Sequence, residues 1–158
     1  MNDILEIILK DTYTLSTAKH RVRLLKTYLY QKLFGESIPG ALEDRDLRWL
    51  NSLPEGFLEK FNRDNVLSNL SELEKRINQF TPLIFYLAFE INDEATVLIG
   101  TRVREYFGPN LLLDIRFNPA LLAGCALSWK GIYKDYSLKA QIEARKMEIL
   151  ESFKKFLR

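Results

Sequence analysis

The sequence predicts an α+β fold, in which an N-terminal helical bundle precedes a small unit of strands and helices. Before residue 80, apolar residues recur three and four positions apart, as they do along one face of a helix. After Pro82, continuous and alternating apolar runs of strand length appear. We therefore predict two domains: a helical bundle over residues 1–80 and a sheet-plus-helix domain over residues 81–158.

Several short amphipathic helices are predicted in the first domain. The clearest spans residues 16–34, where Ser16 can cap the first turn and Gly35 provides a stop. Its apolar positions are Val22, Leu25, Leu29 and Leu33. Residues 46–53 and the segment after Pro54 predict two shorter helices. A further helix follows Asp64 or Asn65, with Val66, Leu70, Leu73 and Ile77 on one face.

The second domain is predicted to have the order β-α-β-β-β-α. The expected elements are a strand over 83–91 buried on both faces, a helix ending at Gly108, strands over 111–117, 125–129 and 132–136, and a final helix from Ser137 toward the C-terminus. Lys130-Gly131 fits a two-residue hairpin turn between the last two strands.

Composition narrows the possible functions. The net charge of +2 is too small to indicate a nucleic-acid partner by itself. One cysteine and one histidine are too few for a Cys/His metal site, and a lone cysteine suits a reducing compartment. No apolar run approaches the roughly 20 residues of a membrane span. The acidic start, residues 1–6, resembles neither a signal nor a transit peptide.

No group of residues predicts catalysis. His20 has basic neighbours and no carboxylate near it in sequence, so we expect an exposed surface histidine. Cys125 lies in an alternating strand pattern, where a buried structural thiol is expected. The sequence has no glycine-rich phosphate loop. We therefore expect a non-catalytic protein that uses no cofactor, metal or small-molecule substrate.

A basic run distinguishes the helix over residues 16–34. No acid occurs between Asp11 and Glu36, whereas five cations do: Lys19, Arg21, Arg23, Lys26 and Lys32. Three interpretations remain open. The run can be a solvated helix face, a docking face for an acidic partner, or the binding surface of a small nucleic-acid-binding or adaptor module.

A motif links the strands of the second domain. Asn118-Pro119-Ala120-Leu121-Leu122-Ala123-Gly124 precedes an alternating strand, a Lys-Gly turn, Asp135-Tyr136-Ser137 and a helix. This pattern resembles the C-terminal signature of the delta (oligomycin-sensitivity-conferring) subunits of rotary ATP synthases. The family's usual residues differ at four places, where this chain has Asn118 for Asp, Ala120 for Ser, Ala123 for Gly and Tyr136 for Gly. The likeness covers residues 82–142; the helical half looks shortened against the family's six-helix bundle.

The chemistry of the motif is structural. Asn118-Pro119 favours a change from extended chain to turn, because proline fixes its own φ and restricts the preceding residue. Gly124 is expected to supply a backbone angle or a close approach that a Cβ would prevent. Asp135 and Ser137 can accept hydrogen bonds from the free N–H groups where the last helix starts.

The resemblance implies a stator subunit of a proton-driven F-type ATP synthase. Such a subunit binds the N-terminal extensions of the alpha subunits and the C-terminal end of stalk subunit b. It lies on the cytoplasmic side of an energy-transducing membrane, here a bacterial cell membrane, and is held there by its partners. Our candidate partner-binding residues are apolar and helical: Val22, Leu25, Leu29, Val66, Leu70, Ile77, Phe153 and Phe156. The structural motif is assigned to Asn118, Pro119, Leu122, Gly124, Asp135 and Ser137.

Overall fold

A computed structural model describes residues 2–35 and 42–157 of the chain. The α+β prediction is confirmed. The helices are α1 (Asn2–Leu9), α2 (Leu15–Phe34), α3 (Asp44–Asn51), α4 (Val66–Gln79), α5 (Asp93–Phe107), α6 (Leu138–Ala144) and α7 (Lys146–Phe156). The strands are β1 (Leu83–Leu87), β2 (Leu113–Phe117), β3 (Cys125–Trp129) and β4 (Ile132–Asp135). Two short 3-10 helices cover Leu58–Lys60 and Pro119–Leu121. The segment Ser37-Ile38-Pro39-Gly40, whose composition predicts a loop, lies outside the described residues.

Helix α2 begins after a side-chain cap and ends at a glycine. Its N-cap is Thr14 rather than Ser16, because the Thr14 hydroxyl accepts a hydrogen bond from the Thr17 N–H at 3.1 Å. Gly35 ends the helix in the left-handed conformation, as predicted, with φ of 74°. Helix α1 has no counterpart among our sequence predictions.

The helix predicted after Pro54 does not form. That stretch contains only the 3-10 turn Leu58–Lys60, flanked by the buried rings of Phe57 and Phe61. The two rings pack edge to face, with centroids 5.7 Å apart. Burial of these rings, rather than continued helical hydrogen bonding, determines the path of the chain here.

The main core lies between α2 and α4. Their apolar stripes interdigitate, and α1, Phe57 and Phe61 close the cluster. Leu112, which directly precedes β2, also belongs to this cluster and is almost fully buried. The two halves of the chain therefore share core contacts.

The sheet has the order β2-β1-β3-β4. Strand β1 runs parallel to β2 and antiparallel to β3, and β4 is antiparallel to β3. Strand β1 is shorter than predicted and is not buried on both faces. Leu83 and Leu87 are buried, but the three residues between them are partly exposed. The β3–β4 hairpin turns at Lys130 and Gly131, both with positive φ, as predicted.

The predicted final helix is divided in two at Arg145. Its backbone, with φ of −107° and ψ of 12°, leaves the helical region between α6 and α7. No glycine or proline occurs at this position, and apolar residues recur at helical spacing on both sides of it. The sequence therefore contains no local signal for the break. Among the described residues, no helix combines the length and the apolar character needed to span a membrane.

The α2–α4 core gives a direct stability prediction. Leu73 on α4 is fully buried, so Leu73→Ala should lower the free energy of unfolding by about 2–5 kcal/mol. Leu67 on the same helix is 61% exposed, and Leu67→Ala should change it by less than about 0.5 kcal/mol. Urea unfolding followed by circular dichroism measures both. Equal losses for the two variants would contradict the assigned core.

Candidate partner-binding surfaces and the corner that positions them

Six of the predicted partner-binding residues lie in the chain's own core. Val22, Leu25, Leu29, Val66, Leu70 and Ile77 are each 2% exposed or less. Two amphipathic helices with matching apolar stripes bury each other in water, and α2 and α4 do so. Neither set of three, Val22, Leu25 and Leu29 or Val66, Leu70 and Ile77, therefore lines an open groove.

A shallower cleft of about 330 Å³ remains between α2 and α4. Val22 and Ile77 are its aliphatic residues. Polar and charged side chains make up the rest of its lining: Lys19, Arg23, Glu74 and Asn78. Because Val22 and Ile77 are almost fully buried, the accessible lining of the cleft is mainly polar and includes two exposed cations from α2. Such a lining suits one face of an amphipathic segment.

The basic run on α2 is partly used within the fold. Arg21 donates to the Thr12 hydroxyl, and its guanidinium lies 5.1 Å from the centroid of the Trp49 ring. Lys26 pairs with Glu74 at 3.4 Å. Burial lowers the pKa of Arg21 from its ordinary value. Three cations of the run therefore stay exposed: Lys19, Arg23 and Lys32.

His20 has a carboxylate partner that the sequence did not indicate. Its Nε2 lies 2.9 Å from Oδ1 of Asp46, which α3 places there from 26 positions along the chain. The His20 side chain is 52% exposed, in keeping with the expected surface histidine. The pair ties α3 to α2, and only tertiary packing could bring its two members together.

The corner motif begins with an Asn-Pro turn. Asn118 N–H donates to Leu87 O at 2.7 Å, and Asn118 Oδ1 accepts from Ala120 N–H at 3.2 Å. Pro119 starts the 3-10 turn that follows, and Leu122 leaves it with a positive φ of 67°. The chain thereby reverses from the end of β2 into β3.

Gly124 meets both expectations for a required glycine. Its φ is 79°, and a Cβ added there would lie 2.7 Å from the carbonyl oxygen of Tyr136. Leu138 N–H donates to Ala123 O at 2.9 Å beside it. The start of β3 and the start of α6 are therefore in backbone contact.

Two capping side chains complete this corner. Asp135 Oδ1 accepts from Ser137 N–H at 2.8 Å, and the buried Ser137 hydroxyl accepts from Ala140 N–H at 3.2 Å. The hydrogen bonds to Asp135 from Ser137 hold the pKa of this carboxyl below its ordinary value. The direction in which α6 leaves the sheet is thus set by polar contacts.

Cys125 is partly buried, rather than fully buried as expected. Burial, and then the charge of Asp135, raise the pKa of its thiol. A raised pKa lowers the thiolate fraction, which is the reactive form. Within the described part of the chain, no three His, Cys, Asp or Glu side chains are placed so that they could hold a metal ion.

Helix α7 carries an exposed apolar stripe. Five side chains share one face at helical spacing, and all of them are exposed: Ile149, Leu150, Phe153, Phe156 and Leu157. Phe153 is 61% exposed and Phe156 is 89% exposed. The two phenylalanines predicted to bind a partner are thus accessible, unlike the six aliphatic residues. A contiguous exposed apolar face of this kind is typical of an interaction surface.

Part of the chain is similar to a curated protein. No protein-family model matches the chain. Over 88 residues the chain is 30% identical to a protein of Verminephrobacter eiseniae (strain EF01-2) named ATP synthase subunit delta. The aligned stretch covers 53% of this chain and 48% of that protein, so the chain spans about half the length of the curated relative. This similarity agrees with the family indicated by the corner motif.

The need for glycine at position 124 can be tested by comparison with Gly131, which has a similar positive φ. Gly131 has φ of 82° but no atom within 4 Å of an added Cβ, whereas at Gly124 the added Cβ meets a carbonyl oxygen. We expect Gly131→Ala to cost about 1–2 kcal/mol for its left-handed backbone. Gly124→Ala should cost at least about 1 kcal/mol more because of the overlap. Chemical denaturation measures both; equal costs would rule out the close approach.

Asp135 predicts a pH dependence of stability. The pKa of Asp135 in the folded protein lies below its unfolded value of about 3.9. Its contribution to the free energy of unfolding is therefore complete above the unfolded value and is lost as pH falls through the folded pKa. Asp135→Asn should therefore be less stable than the wild type at pH 7, and the difference should shrink in acid. Asp64→Asn, at an exposed turn position, is the control. A difference that stayed constant from neutral pH to about pH 2 would contradict this origin.

Proposed function

We propose that this chain is a non-catalytic stator subunit of a rotary F-type ATP synthase, linking the catalytic head to the peripheral stalk. The main support is the corner at residues 118–137, where a motif that resembles the delta family's signature forms a tightly bonded turn between strand and helix. The partial similarity to a delta subunit supports the same assignment.

In this proposal, α7 binds the C-terminal end of stalk subunit b. Its apolar stripe is long enough for a helix to pack along it, and Phe153 and Phe156 provide large side chains for anchoring. Most of the remaining residues of the helix are lysines and glutamates, which would lie at the rim of such an interface. The corner would hold the start of α6 against the sheet, and so connect this surface to the fold.

The cleft between α2 and α4 is the proposed site for the N-terminal extension of an alpha subunit. A segment bound there would contact mainly polar and charged side chains, because Val22 and Ile77 beneath them are almost fully buried. The exposed Lys19 and Arg23 favour acidic residues on that segment. The two candidate surfaces lie in different halves of the chain, as a link between two partners requires.

The proposed role is mechanical. It needs buried helix contacts with two partners, and no nucleophile, metal or cofactor. The chain would be membrane-associated through the complex, on the cytoplasmic side of a bacterial energy-transducing membrane, and would support ATP synthesis by holding the head against rotor torque.

The α7 surface provides the test. Phe153→Asp and Phe156→Asp should each weaken binding to stalk subunit b of the same synthase at least tenfold, about 1.4 kcal/mol, because a charge replaces an anchoring ring. Tyr106→Asp is the matched control, since Tyr106 is an 83% exposed aromatic residue on α5. Binding is measured by calorimetry with purified subunits.

ATP-driven proton pumping by the reconstituted synthase gives a second measurement. The two α7 variants should lose coupling, whereas the control should retain it. Wild-type protein that binds neither the stalk subunit nor the catalytic head would refute the proposed function. Binding unaffected by both substitutions would refute the assignment of α7.

A further inference from the structure

Arg104 on α5 holds four backbone carbonyls with one side chain. Its Nε donates to Leu111 O at 3.1 Å, and Nη1 donates to Leu9 O at 3.1 Å and to Lys10 O at 3.3 Å. Nη2 donates to Thr12 O. Three of these four acceptors lie more than 90 residues away in the sequence. The planar fork of a guanidinium suits such a set, which a lysine ammonium cannot match.

The three distant carbonyls belong to the corner between α1 and α2. Leu9 is the last residue of α1, and Lys10 and Thr12 follow it. Carbonyls at a helix C-terminus lack helical partners and carry partial negative charge. Arg104 thus caps α1 from the opposite half of the chain. Burial lowers the pKa of its guanidinium, but an arginine stays charged at neutral pH.

Tyr13 adds a second contact at the same corner. Its ring centroid lies 4.7 Å from the guanidinium carbon of Arg104. The ring also packs on Gly100, where an added Cβ would lie 2.5 Å from the ring. Thr101 Oγ1 donates to the Tyr13 hydroxyl at 3.3 Å. The Tyr13 ring therefore contacts three residues of α5: Gly100, Thr101 and Arg104.

Backbone pairing continues this contact into the sheet. Leu113 N–H donates to Tyr13 O at 2.8 Å, and Thr14 forms a parallel bridge with Leu113. The neighbouring Leu112 lies in the core of the N-terminal half. The corner between α1 and α2 is thus bound to α5 by side chains and to β2 by backbone.

We propose that Arg104 and Tyr13 form a lock that joins the N-terminal helices and the C-terminal sheet into one cooperative, rigid unit. Without the lock, the β2 pairing, the buried Leu112 and the exposed Arg45–Asp93 ion pair would still join the two halves, but we expect these contacts to be too few to make the halves unfold together. The lock does not depend on the stator assignment. If that assignment is correct, the lock provides a stiff connection between the two partner-binding surfaces.

The two tryptophans allow each half to be followed separately. Trp49 lies on α3 in the N-terminal half and Trp129 on β3 in the C-terminal half. In a Trp129→Phe background, fluorescence reports the first half, and in a Trp49→Phe background it reports the second. In otherwise unchanged protein, we expect the two probes to show the same urea midpoint.

The decisive variant is Arg104→Lys, which keeps the charge and loses most of the hydrogen bonds. We expect its two midpoints to separate, and the Leu113 amide to exchange at least tenfold faster than in the wild type. Arg102→Lys is the control, because Arg102 is exposed on the same helix and pairs locally, with Glu105. It should leave the midpoints equal.

Two results would overturn the lock. One is coincident midpoints with unchanged Leu113 exchange in Arg104→Lys; the other is midpoints that already differ without that substitution. Should Arg104→Lys fail to fold, Tyr13→Leu replaces it under the same criteria. That variant removes the ring contact but leaves the backbone pairing, so we expect a smaller separation of the two midpoints.

Discussion

The mutual burial of the α2 and α4 apolar stripes is the constraint on which most of this structure depends. Short amphipathic helices are only marginally stable alone, so the helices of the N-terminal half are stable only because they pack together. The same core takes in Leu112 and thereby fixes where β2 starts. Because β1 pairs with both β2 and β3, the position of the sheet follows from a helical core built mainly by the other half of the chain.

That burial also decides which surfaces remain for partners. An apolar stripe used inside the fold cannot serve outside it, which removes Leu25, Leu29 and Leu70 from any exposed site. What remains is a cleft with two exposed cations in the helical half, and an exposed apolar stripe on α7. The first surface is mainly polar and the second is apolar, so the two suit partners of different character.

The two joints of the structure rely on different physics. At residues 118–137, short side chains satisfy backbone groups only a few positions away, and Gly124 permits the close approach of two segments. Between the halves, a single arginine satisfies carbonyls more than 90 residues distant. The first kind of joint leaves a recognisable spacing of residues in the sequence, whereas the second leaves none.

The sequence by itself determined the α+β class, most helix and strand positions, the hairpin at Lys130-Gly131 and the caps at Gly35 and Ser137, because these depend on local periodicity and on backbone preferences. The predicted β1 was longer and more buried than the observed strand, and neither the break at Arg145 nor the burial of the six aliphatic candidate residues was predicted. Tertiary structure alone decided that Val22 and Ile77 lie at the bottom of a cleft, that Asp46 meets His20, and that Arg104 caps α1. These outcomes depend on which apolar faces bury each other, and that choice is made by long-range packing.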